Sequence, residues 1–583
     1  MSEQLILQLT PQIENFDDSI LNLRLPVPTS RGAFEEEVSV VDITDAPARE
    51  SDTGATGVPL RARRWKIAAE AQPVYAENLD LWRPFLASVN YFEHAKFKLI
   101  KGEFSDAARN TWDGELAFSG LARIGTGEWR GVKSLQEIRL RKHPPADAQG
   151  EPMWLISRWR AVRFETTETE RRLFHEALDQ AVPDPTARTR ARTSIHEQRV
   201  IDFITTGKRP DPLFEVVGWD RHPGIVVADI DRDGFDDIYV MARWGKNQLF
   251  RNRRDGTYEE IAAEVGLDLE GHTSSAVFAD FDNDGDLDAF LGRTLQRSMY
   301  LVNEGGQFVD RSSGRVATPL PYFASSISAA DYDGDGLLDL YVSTFAGQML
   351  FERRMREYRR SLLREHLPGT DAETLISHLA DPSAHAWLNW PGPPNVLLRN
   401  VGSGRFVEAR EAGPPFLFRN TYQATWSDYD GDGDPDLYCA NDLAPDNLFR
   451  NEGNGVFVDA TAAAGTTFMG FAMGASWGDY DEDGRPDLYV TNMFSKAGAR
   501  ITAQLSGLDE RFPEMARGNW LYRNTGDGFE KVSGHDDDSL QVEVAGWGWG
   551  SQFIDVDNDG RLDIYALSGY YTAPDEVAKP QDF

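Results

Sequence analysis

A single cysteine, Cys439, stands in 583 residues, which excludes an internal disulfide framework. No apolar run approaches the ~18 residues that a membrane helix needs. Cations are in deficit: 60 Lys and Arg face 94 Asp and Glu, and the formal charge of -34 argues against nucleic acid or an anionic membrane as partner. The start, MSEQLILQLTPQIENF, lacks the basic and apolar regions of a secretory leader. No Ser/His/Asp order, Walker loop, HExxH or CxxC stands in a convincing context, so no reaction can be read off.

What the chain has in plenty is one acidic loop, in six copies. They are DIDRDGFDD (Asp229, Asp231, Asp233, Asp237), DFDNDGDLD (Asp280, Asp282, Asp284, Asp288) and DYDGDGLLD (Asp331, Asp333, Asp335, Asp339). The others are DYDGDGDPD (Asp428, Asp430, Asp432, Asp436), DYDEDGRPD (Asp479, Asp481, Asp483, Asp487) and DVDNDGRLD (Asp555, Asp557, Asp559, Asp563). Each puts Asp at positions 1, 3, 5 and 9 and Gly at 6. Three carboxylates at alternate positions converge on one hard cation only if the backbone curls, and the glycine supplies the turn. The chemistry implied is oxygen-only ligation of calcium, about six ions in all, in a loop tighter than an EF-hand and suited to a hairpin. Without a cation, four crowded carboxylates would repel one another. The four ligand positions of the six loops hold 24 of the acidic residues, and six bound ions would bring the net charge to about -22. Sites of this kind suit a calcium-rich compartment, favouring a secreted or periplasmic place, whereas the lack of a leader favours the cytoplasm.

The first aspartates fall at 229, 280, 331, 428, 479 and 555, and the recurring interval of 51 is the period of a four-stranded propeller blade. After each loop comes an apolar triplet with a central aromatic (IYV, AFL, LYV, LYC, LYV, IYA), in which Cys439 replaces Val240, Val342 and Val490 and so reads as a small buried hydrophobe. A third strand ending in Asn follows (QLFRN, NVLLRN, NLFRN, WLYRN), then a Gly hairpin as in RRDGTY and EGNGVF. One unit is therefore strand, calcium loop, strand, connection, strand, Gly hairpin, strand.

These units resemble FG-GAP/VCBS repeats of the integrin-alpha type, and most of all those of bacterial cartilage-acidic-protein-like chains of the ASPIC/UnbV group, from Phe214 to Tyr571. The resemblance implies a mainly β fold: a propeller of six calcium-loop blades, six or seven in total. Two departures stand out: the ASPIC/UnbV module is not found, and the last repeat stops soon after its second strand, leaving Leu213 to Val217 as a candidate closing strand.

Ahead of the repeats, residues 1–75 are weakly patterned. Residues 76–182 read as an α+β curved sheet loosely resembling a SnoaL-like cone, with long strands from Tyr91, Glu115, Trp129 and Trp154 and a helical stretch from Thr166 to Gln180. His94, His143, Trp154 and Trp159 are candidates to line such a cone, against the plainer alternative of core tryptophans and surface histidines. Residues 183–211 read as a basic linker, and 212–583 as the propeller.

Insertions at 352–394 and 493–518 lengthen the connection between strands two and three, and so project from the face opposite the calcium loops. The first opens on an amphipathic basic helix with Met355, Tyr358 and Leu362 on one side, expected to dock on the acidic protein, and a second helix follows a Thr370 to Glu373 capping box. The second insertion is expected to be helical. On the same face the starts of the first strands carry His222, His272, Tyr322, Tyr422, Met469, Phe471, Trp547 and Trp549, with Asp442, Asp446 and Asn447 nearby. Aromatics suit sugar rings or an apolar small molecule, and two histidines could hold a transition metal; the plainer alternative is a packed plug. The leading function is a calcium-stabilised module binding a protein or carbohydrate through this face. The competing one, implied by the UnbV resemblance, is a biosynthetic enzyme acting on a small molecule in the His/aromatic funnel.

Overall fold

A computed structural model describes residues 2–52, 60–125, 127–145, 152–170, 176–210, 224–346, 356–367, 369–380, 389–413, 415–453, 455–494, 511–534, 539–556 and 559–569. The chain divides into two compact units, one built mainly on residues up to His175 and the other mainly on residues from Glu176 onward.

In the first unit a curved sheet runs in the order β2 (Ile43–Asp52), β3 (Leu60–Ile67), β8 (Met153–Thr169), β7 (Glu128–His143), β6 (Thr111–Ile124), β5 (Val89–Phe104). Strand β1 (Phe34–Val41) pairs in parallel with β8 and antiparallel with β4 (Gln72–Tyr75). Alternate residues of β6 and β7 face inward, the period-2 signature of a sheet with one buried face. Helix α1 (Ser2–Leu21) turns Leu5, Leu9, Ile13, Phe16 and Ile20 onto that face at i, i+3 and i+4 spacing. The first 75 residues are thus part of this domain rather than a separate segment. Their weak pattern has a physical origin: a helix and edge strands that bury only one stripe show short, interrupted periodicity. Of the expected helix at Thr166–Gln180, residues 166–169 belong to β8, residues 171–175 lie outside the described residues, and a helical turn spans Leu178–Ala181.

No hollow cone results. The concave face is filled by Trp82, whose ring lies 5.3 Å from Phe97, 5.1 Å from Phe118 and 5.1 Å from Phe164, and by Trp159, 6.3 Å from Phe16. Trp159 is fully buried, Trp154 packs on Phe104, His94 is exposed and His143 meets Glu35 at 2.8 Å on the outer side. Trp159 is therefore a core residue and His94 and His143 lie toward the surface, whereas half-buried Trp154 lines a cleft beside Gln12 and Ala33. Trp159→Ala should cost about 3–5 kcal/mol of stability, read as a lower chemical-denaturation midpoint of this unit. A loss under about 1 kcal/mol would mean that the interior is not packed as described.

The residues expected to form a linker instead make two helices of the second unit, Pro185–Arg192 and Ile195–Thr206, each started by a capping side chain, Asp184 and Ser194. Val182 and Ala187 pack on Phe250, and His196 meets Arg243, so this stretch covers the first repeat.

Five repeats each form a four-stranded antiparallel meander. Their first strands are Ile225–Ala228, Thr273–Ala279, Ala324–Ala330, Thr421–Ser427 and Gly474–Gly478. In every sheet the residue before the loop faces the ninth loop residue across the ladder, as Ala330 faces Asp339 and Ser427 faces Asp436, so each acidic loop joins strands one and two. The central aromatics of the second strands, Tyr239, Phe290, Tyr341, Tyr438 and Tyr489, are buried, each contributing about 1.5–3 kcal/mol. Cys439 is likewise buried; burial pushes its thiol up to about 12, and it packs as the small hydrophobe expected.

First strands of successive repeats lie side by side and level: Ser274 Oγ donates to Ala324 O (2.7 Å), Ser325 Oγ to Thr421 O (2.6 Å), and the Ala475 amide to Gln423 Oε1 (3.0 Å). They run in the same direction, which puts the acidic loops at one end of the sheets. The sixth repeat shows two strands among the described residues, Gly548–Ile554 and Asp563–Ser568, and its aromatic Tyr565 is 48% exposed. The proposed closing strand Leu213 to Val217 lies outside the described residues.

Candidate metal centres and rim

The acidic loop folds the same way in each repeat because position 1 caps its own turn. Asp331 accepts from the amides of Asp335 (3.0 Å) and Gly336 (2.9 Å), and Asp229, Asp280, Asp428, Asp479 and Asp555 repeat the pattern within 2.8–3.0 Å. Gly336 sits at φ +83°, open to glycine without strain. Position 5 holds the amide two residues on, as Asp335 does for Leu337 (2.9 Å).

In the first five loops position 9 is buried at the root of the loop, as Asp237, Asp288, Asp339, Asp436 and Asp487 show, whereas Asp563 of the sixth is exposed. Asp339 Oδ1 accepts from the Asn400 amide at 2.7 Å, Asp436 from Asn451 at 2.8 Å and Asp487 from Asn524 at 2.8 Å. Burial, reinforced by the carboxylates at positions 3 and 5, pushes Asp339 and Asp436 up to about 7 and Asp288 and Asp487 to about 6. A cation among these oxygens would remove that penalty.

Five sets bring three carboxylate oxygens within 4.8 Å of one another: Asp229, Asp231, Asp233; Asp280, Asp282, Asp284; Asp331, Asp333, Asp339; Asp428, Asp430, Asp436; and Asp479, Asp481, Asp483. The fit to a hard cation rests on the donor chemistry and on two orphans. Asp282 Oδ1 and Asp333 Oδ1 are buried without a hydrogen-bond partner, although buried polar atoms are normally paired. Calcium held there would supply charge neutralisation and a cross-link between the turn and the sheet. In the sixth loop, Asp557 lies outside the described residues.

At the opposite end of the sheets the rim is aromatic. Tyr322 is buried, stacked on His366 of the inserted helix at 3.9 Å and 2°, with its hydroxyl on Leu295 O. Tyr422 stacks on Phe345 at 4.1 Å and meets Trp549 edge-on at 5.7 Å; Trp549 lies parallel to Trp547 at 6.4 Å. Tyr422, Trp547 and Trp549 remain partly exposed. Trp547 donates its indole N–H to Met473 Sδ at 3.1 Å and Trp549 to Gly569 O at 2.6 Å, which leaves ring faces rather than polar edges for contact.

Other expected rim residues take different roles. His222 lies outside the described residues, and His272 is buried edge-on to Trp244 at 4.6 Å, outside the clusters of metal-ligating groups. Met469 and Phe471 pack round buried Met515. Asp446 occupies the place that Asn247, Asn395 and Asn519 hold in other repeats and does their work: it accepts from the Asn441 amide (2.7 Å) and the Tyr438 hydroxyl (2.9 Å). Asn447 is tied to Asn441 and Asp459. Of the three polar candidates only Asp442, half-buried, has a carboxylate that these networks do not use.

The insertion helices Arg356–His366 and Gly369–Ala380 roof this rim: Leu362, Leu363 and Leu375 share a core with Tyr322, Phe323 and Phe345. Glu373 does not cap the second helix but pairs with Arg364 at 2.7 Å, because Thr370 already lies inside the helix. Buried Asp371 holds Arg410 through both oxygens. Met355 and most of the second insertion lie outside the described residues, and a short helix, Phe512–Met515, closes the latter.

A family model described as FG-GAP-like repeat matches residues 229–291, 428–490 and 513–566. Cartilage acidic protein 1 of Xenopus tropicalis is 29% identical over 160 residues, and that of Homo sapiens 31% over 160, in each case 26% of this chain and 24% of the relative. The chain thus spans about a quarter of the length of the relatives it matches. Among solved structures, Saccharomyces cerevisiae Sqt1 aligns over 57% of this chain and 65% of its own at 10% identity, with a TM-score of 0.29 too low to carry an argument. Loop three, outside the family matches, has the same geometry as those inside them. The chain carries FG-GAP-like repeats at residues 229–291, 428–490 and 513–566, and over 160 residues it is similar to cartilage acidic protein 1.

Proposed function

We propose that the repeat unit is a calcium-stabilised β-propeller of six or seven blades that binds a protein or carbohydrate through the rim opposite its acidic loops. The observation that carries this reading is the polarity of the unit. Metal-type ligands occupy one end of the sheets, whereas partly exposed Tyr422, Trp547 and Trp549, roofed by inserted helices, occupy the other. Loops grafted on a rigid scaffold are where recognition concentrates, and aromatic faces give large contact area at low entropic cost. The acidic loops serve stability: their carboxylates fill most of a calcium shell.

The test is a binding screen against oligosaccharides and peptides, read by tryptophan fluorescence. Trp549→Ala and Tyr422→Ala should each weaken a ligand found in this way by about tenfold, the ~1.4 kcal/mol of one lost ring contact. Calcium-dependent melting should be unchanged. A ligand indifferent to both substitutions would place recognition elsewhere.

A further inference from the structure

In repeats three to five the asparagine that ends the third strand does more than turn the chain. Asn400 Nδ2 donates to Phe281 O, Asn451 Nδ2 to Tyr332 O and Asn524 Nδ2 to Tyr429 O, each at 2.7 Å. Phe281, Tyr332 and Tyr429 are position 2 of the acidic loop in the preceding repeat, between the ligands at positions 1 and 3. The same asparagines give their backbone amides to Asp339, Asp436 and Asp487, position 9 of their own loops. One residue therefore touches two candidate metal sites. The following Gly turn adds to this: a Cβ on Gly455 would meet the Tyr332 ring at 2.6 Å and Asp333 Cβ at 3.3 Å, and one on Gly404 would meet Asp282 Cβ at 2.9 Å. Asp282 and Asp333, the position-3 residues beneath these turns, are the two described loop aspartates with buried, unpartnered oxygens.

We infer that the calcium sites of repeats two to five are coupled along the chain, with Asn400, Asn451 and Asn524 as the positioning residues that link each loop to the next. This rests on reading the loops as calcium sites. A loop closed on its cation fixes the position-2 carbonyl, which fixes the asparagine, which fixes the next position-9 carboxylate. Such coupling is reciprocal, so filling either loop favours the other. Asn252 of the first repeat supplies the control, since it shapes its turn and donates to Asp236 O of its own loop at 3.1 Å.

The experiment is calorimetric titration of the calcium-stripped full chain with calcium alone. Wild type should bind several ions with a Hill slope above one. Asp331→Ala, which removes loop three, should lower the affinity of the remaining sites by about fivefold or more. Asn451→Ala should bring the slope toward one without changing the number of ions, and Asn252→Ala should leave the slope as it is. A wild-type isotherm with independent sites, or one that Asn451→Ala leaves unchanged, overturns the coupling, and the wild-type arm decides even if a variant does not fold. No ion bound at all would overturn the calcium reading instead.

Discussion

Chelating calcium should lower the melting temperature of the repeat unit by more than about 10 °C. At free calcium a hundredfold above the dissociation constant, one site contributes about 2.7 kcal/mol, and several sites on one cooperative unit add. In a domain of this size each kcal/mol moves the midpoint by roughly 2–4 °C or somewhat less. The stripped protein also keeps five clusters of carboxylates within 4.8 Å and the buried orphans of Asp282 and Asp333. Differential scanning calorimetry with and without chelator measures the shift, and superimposable melts would sink the metal reading for the whole set of loops.

Within one loop, Asp339→Ala is expected to cost far more than Asp335→Ala. Asp335 is exposed and holds one neighbouring amide, so its loss removes chiefly a candidate metal ligand. Asp339 is fully buried and accepts from Asn400 N at 2.7 Å and Tyr332 N at 3.3 Å. Removing it strands two buried donors at about 1–3 kcal/mol each, on top of the lost site. The difference is visible under chelation: the Asp335 variant should melt with wild type, and the Asp339 variant should stay lower by several degrees. Equal melts of the two in chelator would show that position 9 acts only through the ion.

Much of this molecule was legible because its grammar is local. The spacing of Asp229, Asp231, Asp233 and Gly234 dictates a curled turn whichever sheet it joins, and the apolar triplet after it dictates a buried strand. The rim was legible less well. Tyr422, Trp547 and Trp549 do meet, but Asp446 proved to be a buried substitute for an asparagine, a role its repeat position signals only when the repeats are aligned on their terminal Asn. The first 75 residues read as weakly patterned because α1 shows its apolar stripe only against a sheet whose strands lie far along the chain.

The chain's own order of residues settles the number of acidic loops, the hairpin each one closes and the place where insertions leave the sheets, since these depend on neighbours a few positions away. Tertiary structure alone decided that the concave sheet is packed solid, that the supposed linker covers the first repeat, and that Asn400 and Asn451 each reach a loop 119 residues upstream. The reason is physical: a turn is fixed by local sterics and hydrogen bonds, whereas burial and the choice of a distant partner depend on which surfaces the whole fold brings together.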